Sequence, residues 1–407
     1  MEIINGGVTA AKGFMASSHA AGIKYEGRTD MAMVFSKEPC VCAGTYTSNV
    51  VKAACVKWDK ELTESGRPMH AVVVNSGIAN ACTGQEGYDA CKATAGAVEE
   101  ALGVPYDSVA VASTGVIGMQ LPVGKLTAGV KAMAPKLSDE LTAGSDASRA
   151  IMTTDTVNKE IAVTFNIGNK EVTLGGMSKG SGMIHPNMCT MLAFLTSDIN
   201  IDKKLLQKAL SEVVKDTFNM ISVDGDTSTN DTLLIMANSL AGNDKIEEEN
   251  EDYATFKDAL LYVCRTLAMK MARDGEGASK LFTAHVVNAV SKEDARALAR
   301  SVISSSLSKA AIFGCDANFG RFLCAMGYSG VSFKQEDVEL FFENRIGRLQ
   351  VFKYGVPLDF DEDEALRILK EDEVTVYIDM HEGSAEATAW GCDLTYDYVK
   401  INADYRS

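Results

Sequence analysis

The sequence predicts an α/β or α+β protein. Short β-branched runs alternate with amphipathic helical stretches in both halves of the chain, and no repeat of solenoid period is visible. The composition, 46% hydrophobic and 23% charged, is that of an ordinary globular protein. At 407 residues the chain is long enough for a sizeable core and, by length, for two or three domains. Periodicity does not give the order of the strands.

Residues 71–75 read as a buried strand, an apolar run expected to end at Ser76-Gly77, where the chain must turn. A helix follows over 88–102. Residues 108–112 form another buried strand, closed by Ser113-Thr114-Gly115, and 123–137 is helical apart from Pro135. Over 203–218, Leu206, Ala209, Leu210, Val213 and Val214 fall on one helical stripe, as do Leu260, Val263, Cys264 and Leu267 over 256–271. A third such pattern covers 291–307. The acidic run 247–252 is a solvated loop or helix lead-in, because like charges this close favour hydration. Residues 374–380 and 387–390 read as strands around the turn 381–384.

Charge and cysteine usage exclude several function classes. Thirty-nine basic against 55 acidic residues, a net of −16, leave no broad cationic surface for nucleic acid. The ten cysteines are scattered, with no C-x-x-C pair and no zinc-finger spacing, so they are expected to be small buried hydrophobes in a reducing cytoplasm, with no metal. The first residues carry neither a basic region nor a long apolar one, and no window approaches a membrane span, so secretion and membrane insertion are not expected.

The most informative stretch is 174–198, where four glycines surround Lys179 and a hydroxyl residue, Thr190, opens an apolar strand. Nucleotide motifs fail here: Gly175 to Gly180 has P-loop spacing but Ser181 follows in place of lysine, and Gly180-Ser181-Gly182 lacks the third glycine of a dinucleotide fingerprint. Gly176-Met177-Ser178-Lys179-Gly180 matches the nucleophile elbow of α/β-hydrolases, yet Gly182 and Pro186 oppose the helix an elbow needs. A third reading takes Cys189-Thr190. A threonine leaving a glycine-rich loop could attack its own preceding carbonyl, shift the acyl group to oxygen and lose it to water, becoming N-terminal. Its freed α-amino group, of reference pKa about 7.7 to 8.0, would then serve as base for the same hydroxyl. Against this, Thr190 could simply be a β-former beginning a strand.

Several segments carry a resemblance that spans the chain: 6–14, Val74-Asn75-Ser76-Gly77-Ile78-Ala79-Asn80-Ala81, 112–118, Met152-Thr153-Thr154-Asp155-Thr156, 179–184, 389–395 and 402–407. On these the chain resembles the ArgJ family, the glutamate N-acetyltransferases also called ornithine acetyltransferases. Two departures stand out. Cys189 replaces the usual alanine before the nucleophile, and the usual Asp-Pro-Asn-Trp-Gly-Arg appears as Asp316-Ala317-Asn318-Phe319-Gly320-Arg321, which reads as a packing variation.

The resemblance implies layered sheets with flanking helices, an N-terminal-nucleophile fold of the kind shared with the DmpA aminopeptidases. It implies self-cleavage at Cys189-Thr190 into an α chain, 1–189, and a β chain, 190–407, assembled as an α2β2 heterotetramer in the cytoplasm. The implied reaction is ping-pong acyl transfer in arginine biosynthesis: Thr190 takes acetyl from N2-acetyl-L-ornithine, releases ornithine and passes acetyl to L-glutamate. Thr114 and Gly115 match the oxyanion hole, and Thr153, Lys179, Thr190, Glu276, Asn402 and Ser407 the substrate contacts. No cofactor is implied, and acetyl-CoA as a second donor is left open. His185, near Thr190 in sequence, reads as loop structure, since the freed amine fills the role of base. The alternatives are an amidohydrolase or aminopeptidase of N-terminal-nucleophile type, a serine hydrolase using Ser178, and a ligand-binding protein whose glycine-rich segment is a pocket wall. A chain at −16 that must hold anionic glutamate also needs a locally positive pocket, expected at Lys179.

Overall fold

The structure, a computed structural model, describes residues 1–185 and 191–403. These form two compact units, one drawn from 1–180, 191–215 and 227–267, the other from 181–185, 216–226 and 268–403.

The first unit contains β1 (Glu2–Ile4), β2 (Phe14–His19), β3 (Met31–Tyr46), α1 (Ala54–Ser65), β4 (Met69–Ile78), α2 (Gly84–Leu102), β5 (Val109–Val116), α3 (Val123–Met133), α4 (Leu141–Ala150), β6 (Lys159–Ile167), β7 (Lys170–Lys179), β8 (Leu192–Ser197) and α5 (Lys203–Val213). After β9 (Ile221–Ser222), which belongs to the second unit, come β10 (Thr232–Ala237) and α6 (Glu251–Arg273), which runs past the boundary.

Among the described residues the first unit's strands run in the order β1-β6-β7-β8-β10-β3-β4-β5, with β2 also on β3. The long β3 makes two layers of them. Its first part pairs with β2 and β4 and its last six residues with β10, and the exposed Lys37-Glu38-Pro39 between them interrupts the ladder, as a proline without an N–H must. Alternation then decides which side chains meet. Val72, Val74, Ala110 and Ala112 of one layer join Met177, Leu192, Phe194, Leu234 and Met236 of the other in one apolar cluster. The opposite faces of β4 and β5, with Ala71, Val73, Val109 and Val111, pack on α1, α2 and α3. Phe256 of α6 lies against Phe165 of β6 on the outside of the second layer, ring centroids 6.5 Å apart. The result is helix, sheet, sheet, helix. Strands from both sides of the Cys189-Thr190 bond share this sheet, β7 pairing antiparallel with β8.

The second unit adds β11 (Leu281–Ala289), α7 (Lys292–Ser304), α8 (Ser306–Phe313), α9 (Phe319–Gly327), β12 (Glu339–Asn344), β13 (Gly347–Lys353), β14 (Val356–Pro357), α10 (Glu362–Leu369), β15 (Glu373–Asp379), β16 (Ala385–Cys392) and α11 (Tyr396–Ala403). Its sheet order is β14-β13-β12-β15-β11-β16-β9. In β15, Val374, Val376 and Ile378 are buried and the residues between them partly exposed, the period of a sheet covered on one face.

Three expectations differ. The strands at 71–75 and 108–112 do not stop at the Ser-Gly and Ser-Thr-Gly segments; β4 and β5 continue through them in parallel register, Asn75 to Ser113, Ser76 to Thr114 and Gly77 to Gly115. Polar residues stay in the ladder because their hydroxyls find buried partners: Ser113 Oγ donates to Asn75 Oδ1 (2.7 Å) and Ser76 Oγ to the Ala150 carbonyl (2.9 Å). The pattern at 291–307 is two helices. Ser291 caps α7 by accepting from Asp294 N, and Ser305, in extended conformation, ends it and caps α8 by accepting from Ser308 N. Helix 203–218 ends at Val213 and continues only as 3₁₀ turns.

Candidate active site

In the first unit, β5 and β7 bring four of the expected residues together. Lys179 closes β7 and is 7% exposed. Its Nζ donates to Thr153 Oγ1 (2.8 Å) and lies 3.5 Å from Thr114 Oγ1. Thr114 and Gly115, at the end of β5, are half-buried and so within reach of a ligand. Gly115 is obligatory. Its φ is +132°, and a Cβ there would overlap the backbone carbonyl of Gly77 on the paired strand.

Leu192 pairs with Lys179 across β7 and β8, and Met191 has its carbonyl bound by Thr232 N (2.9 Å). Leu192, two residues after Thr190 in sequence, therefore lies beside Lys179. Thr190 and Cys189 themselves, and Ser407, lie outside the described residues.

Asp155 organises this group. It is buried, and four donors surround its carboxylate: Oδ1 accepts from Lys159 Nζ (2.7 Å) and Gly180 N (2.6 Å), while Oδ2 accepts from Thr153 N (3.0 Å) and faces Lys179 Nζ at 3.8 Å. Burial alone would raise this carboxyl, but the Lys179 and Lys159 ammoniums outweigh it and hold Asp155 well below the ordinary carboxylate range. Asp155 thus joins the ammoniums of Lys159 and Lys179 in one buried cluster.

Ser178 does not make an elbow. It sits inside β7, paired with Lys159 on one side and Ala193 on the other, and is fully buried. Its Oγ has no hydrogen-bond partner among the described residues. The serine-hydrolase reading fails because the strand continues where the motif needs a turn.

In the second unit, Glu276 is 7% exposed and accepts from Asn402 Nδ2 of α11 (2.7 Å), so two further expected residues meet. The turn carrying Glu276 is held from several directions. Glu276 N donates to the Ser181 carbonyl (2.9 Å), and the Glu276 carboxylate sits where a Cβ on Gly182 would be. Asp393 accepts from Ser279 N and Lys280 N, and Thr395 Oγ1 donates to the Gly277 carbonyl (2.7 Å). These contacts are what Asp393 and Thr395 of the 389–395 segment supply. Asp224 accepts from Met183 N (2.6 Å) and Ile184 N (2.8 Å), fixing the chain there; its burial raises its carboxyl pKa. His185 Nδ1 lies 3.0 Å from Ser222 Oγ and its Nε2 3.3 Å from Arg300. Burial, then the Arg300 charge, lowers its pKa.

The sequence profile of the ArgJ family matches residues 15–407. The arginine biosynthesis bifunctional protein ArgJ of Symbiobacterium thermophilum is 51% identical over 409 residues, covering all of both chains. ArgJ 1 of Clostridium acetobutylicum is 48% identical over 99% of this chain and 98% of its own. This chain belongs to the ArgJ family. A crystal structure of ArgJ from Bacillus halodurans is 45% identical where it covers 52% of this chain and 97% of its own, with a TM-score of 0.49.

Two residues of this ArgJ-family chain escape the motif reading. Asp155 lies inside Met152-Thr153-Thr154-Asp155-Thr156, but a single carboxylate has no spacing signature. Asn230 is the other. Its Nδ2 donates to the carbonyls of Ser113 (2.8 Å) and Ala79, and its Oδ1 accepts from Thr229 Oγ1 (2.6 Å), so it braces the ends of β4 and β5 beside Thr114. The unusual Phe319 stacks on Phe352, ring centroids 5.7 Å apart, which fits a packing role. No helix among the described residues is long and apolar enough to cross a membrane.

Proposed function

We propose that this ArgJ-family chain is an acyltransferase of arginine biosynthesis that moves acetyl from N2-acetyl-L-ornithine to L-glutamate through an ester on Thr190, giving ornithine and N-acetylglutamate. The observation that carries the reading is the gathering of Lys179, Thr153 and Thr114 at the end of β7, where Leu192 pairs with Lys179. Self-cleavage between Cys189 and Thr190 makes Thr190 N-terminal, separating chains 1–189 and 190–407, and its amine takes the hydroxyl proton. Thr114 Oγ1 and Gly115 N stabilise the oxyanion of each tetrahedral intermediate, a contribution of about 10² to 10³ in turnover per donor. Lys179 holds a substrate carboxylate, Thr153 orients Lys179, and Glu276, with Asn402 and Ser407, receives the substrate ammonium. No cofactor enters this chemistry.

The relatives are named bifunctional, and for this chain the candidate second activity is acetyl transfer from acetyl-CoA. We place the enzyme in the cytoplasm as an α2β2 heterotetramer, on the family resemblance. The test is product analysis. Purified protein given acetylornithine forms acetylglutamate only when glutamate is present, and free acetate appearing at the same rate without glutamate overturns the transferase assignment. The same assay with acetyl-CoA and glutamate decides the second donor.

A further inference from the structure

We propose that Cys315 and Lys280 form a peroxide-reactive pair: hydrogen peroxide oxidises the Cys315 sulfur, and the Lys280 amine captures it in a sulfur–nitrogen bond that thiols reverse. This modification site lies in the second unit and is independent of the acyl-transfer reading.

Lys280 directly precedes β11 and is 7% exposed, and its Nζ donates to the carbonyls of Ile312 (2.9 Å) and Leu369 (2.7 Å) and to Cys315 Sγ (2.9 Å). Three acceptors match the three hydrogens of an ammonium, and the sulfur is the one among them that can carry a compensating charge. An ammonium in contact with sulfur favours the thiolate, the form that attacks peroxides. Cys315 sits just past α8 with a φ of +52° and is half-buried, and its Sγ lies 3.3 Å from the same Leu369 carbonyl, so sulfur and nitrogen are held against one oxygen. Other cysteines of the chain have one half of this combination. Cys392 Sγ lies 3.5 Å from Lys309 Nζ but is buried, and that burial raises its thiol pKa. Cys82 and Cys324 are exposed, and neither bonds a lysine among the described residues. The reaction balances from the ion pair: thiolate, ammonium and one hydrogen peroxide give the S–NH bond and two waters. The sulfur attacks one peroxide oxygen and breaks the O–O bond, leaving a sulfenic acid, and the departing hydroxide takes a proton from the ammonium. The freed amine then displaces the sulfenic hydroxyl, which leaves as the second water with the amine's proton. Sulfur loses two electrons and the peroxide gains them.

Peptide mapping after treatment with hydrogen peroxide tests this. The peptides carrying Lys280 and Cys315 are expected to become joined with the loss of two hydrogens and to separate again under dithiothreitol. Cys315 is expected to react about tenfold faster than Cys82 or Cys324. Lys280→Arg keeps a cation on the sulfur but offers no amine that condenses, so oxidation is expected to stop at the sulfenic acid, which dimedone captures on Cys315. Cys315→Ser keeps a polar group toward Lys280 and is expected to form no joined peptide, with thermal unfolding showing that the variant is folded. Oxygen added at Cys315 of the parent without joining Lys280, oxidation of Cys315 no faster than that of Cys324, or a joined peptide that survives in Cys315→Ser each overturns the proposal. The map of the parent decides it even where Lys280→Arg does not fold.

Discussion

Gly77 and Gly115 stand opposite each other in parallel strands so closely that a Cβ on Gly115 would overlap the Gly77 carbonyl carbon. The contact sits where the proposed oxyanion donor lies, and the positive φ of Gly115 adds strain to any side chain placed there. Gly115→Ala is therefore expected to lower kcat by about 10² to 10³, the scale of one lost oxyanion donor. Gly96→Ala is the control: Gly96 lies inside α2 with nothing near a new Cβ, so the change is expected to stabilise by about 0.5 to 1 kcal/mol and leave kcat unchanged. Steady-state kinetics beside thermal unfolding separate the two outcomes. Full turnover in Gly115→Ala would remove it from the oxyanion site.

The chain's two candidate hydroxyl nucleophiles make opposite predictions. Thr190→Ala stays full length and inactive. Ser178→Ala cleaves and transfers acetyl normally, since the buried Ser178 Oγ has no partner among the described residues and its loss changes stability by about 0.5 kcal/mol or less. Cys189→Ala also cleaves, because the scissile carbonyl remains. Intact mass reads all three, and a full-length Ser178→Ala beside a cleaved Thr190→Ala would reverse the assignment.

Those residues also mark how much of the site is legible in the sequence. Lys179 stands out among the four glycines around it, whereas Thr114 and Gly115 enter only through the family resemblance, since Ser113-Thr114-Gly115 by itself reads as a strand-end turn. Asp155 is not found, since its importance comes from Lys159 and Gly180, which the pairing of β6 with β7 carries to it. Strand ends are misjudged for a related reason: Ser113 and Ser76 look like turn formers until Asn75 and the Ala150 carbonyl are seen to bind them. The helix predicted over 203–218 is found where one buried face decides it, but the stripe overruns the true end at Val213.

Asp216 and Arg296 give a pH prediction. Arg296 Nε and Nη2 donate to the two oxygens of Asp216 (2.9 and 2.8 Å), with Lys292 3.4 Å away. Partial burial would raise the Asp216 carboxyl, but the Arg296 hydrogen bonds and charge, with Lys292, hold it below its ordinary value. A carboxyl lowered by folding stabilises above its unfolded pKa of about 3.9, and that stability is lost as pH falls through the folded value. Asp216→Asn is thus expected to cost about 1 kcal/mol, discounted for solvent, at neutral pH. The cost persists down to about pH 5 and narrows below about pH 4. Urea unfolding of parent and variant across that range checks it, and a gap that widens on acidification contradicts the sign.

Glu276 and Asn402 make the last prediction, on substrate charge. Glu276→Gln keeps an oxygen to accept from Asn402 Nδ2 and keeps the shape that fits against Gly182, so folding and self-cleavage are expected to be unchanged. What it removes is the negative charge proposed to receive the ammonium of the substrate. KM for acetylornithine and glutamate should rise roughly tenfold or more, since a charged hydrogen bond is worth more than a neutral one. Asn402→Ala leaves the charge and removes one of its donors, so its effect on KM is expected to be smaller, about threefold. If Asn402→Ala proves as damaging as Glu276→Gln, the pair acts as a unit that fixes α11, and recognition of the ammonium must come from elsewhere.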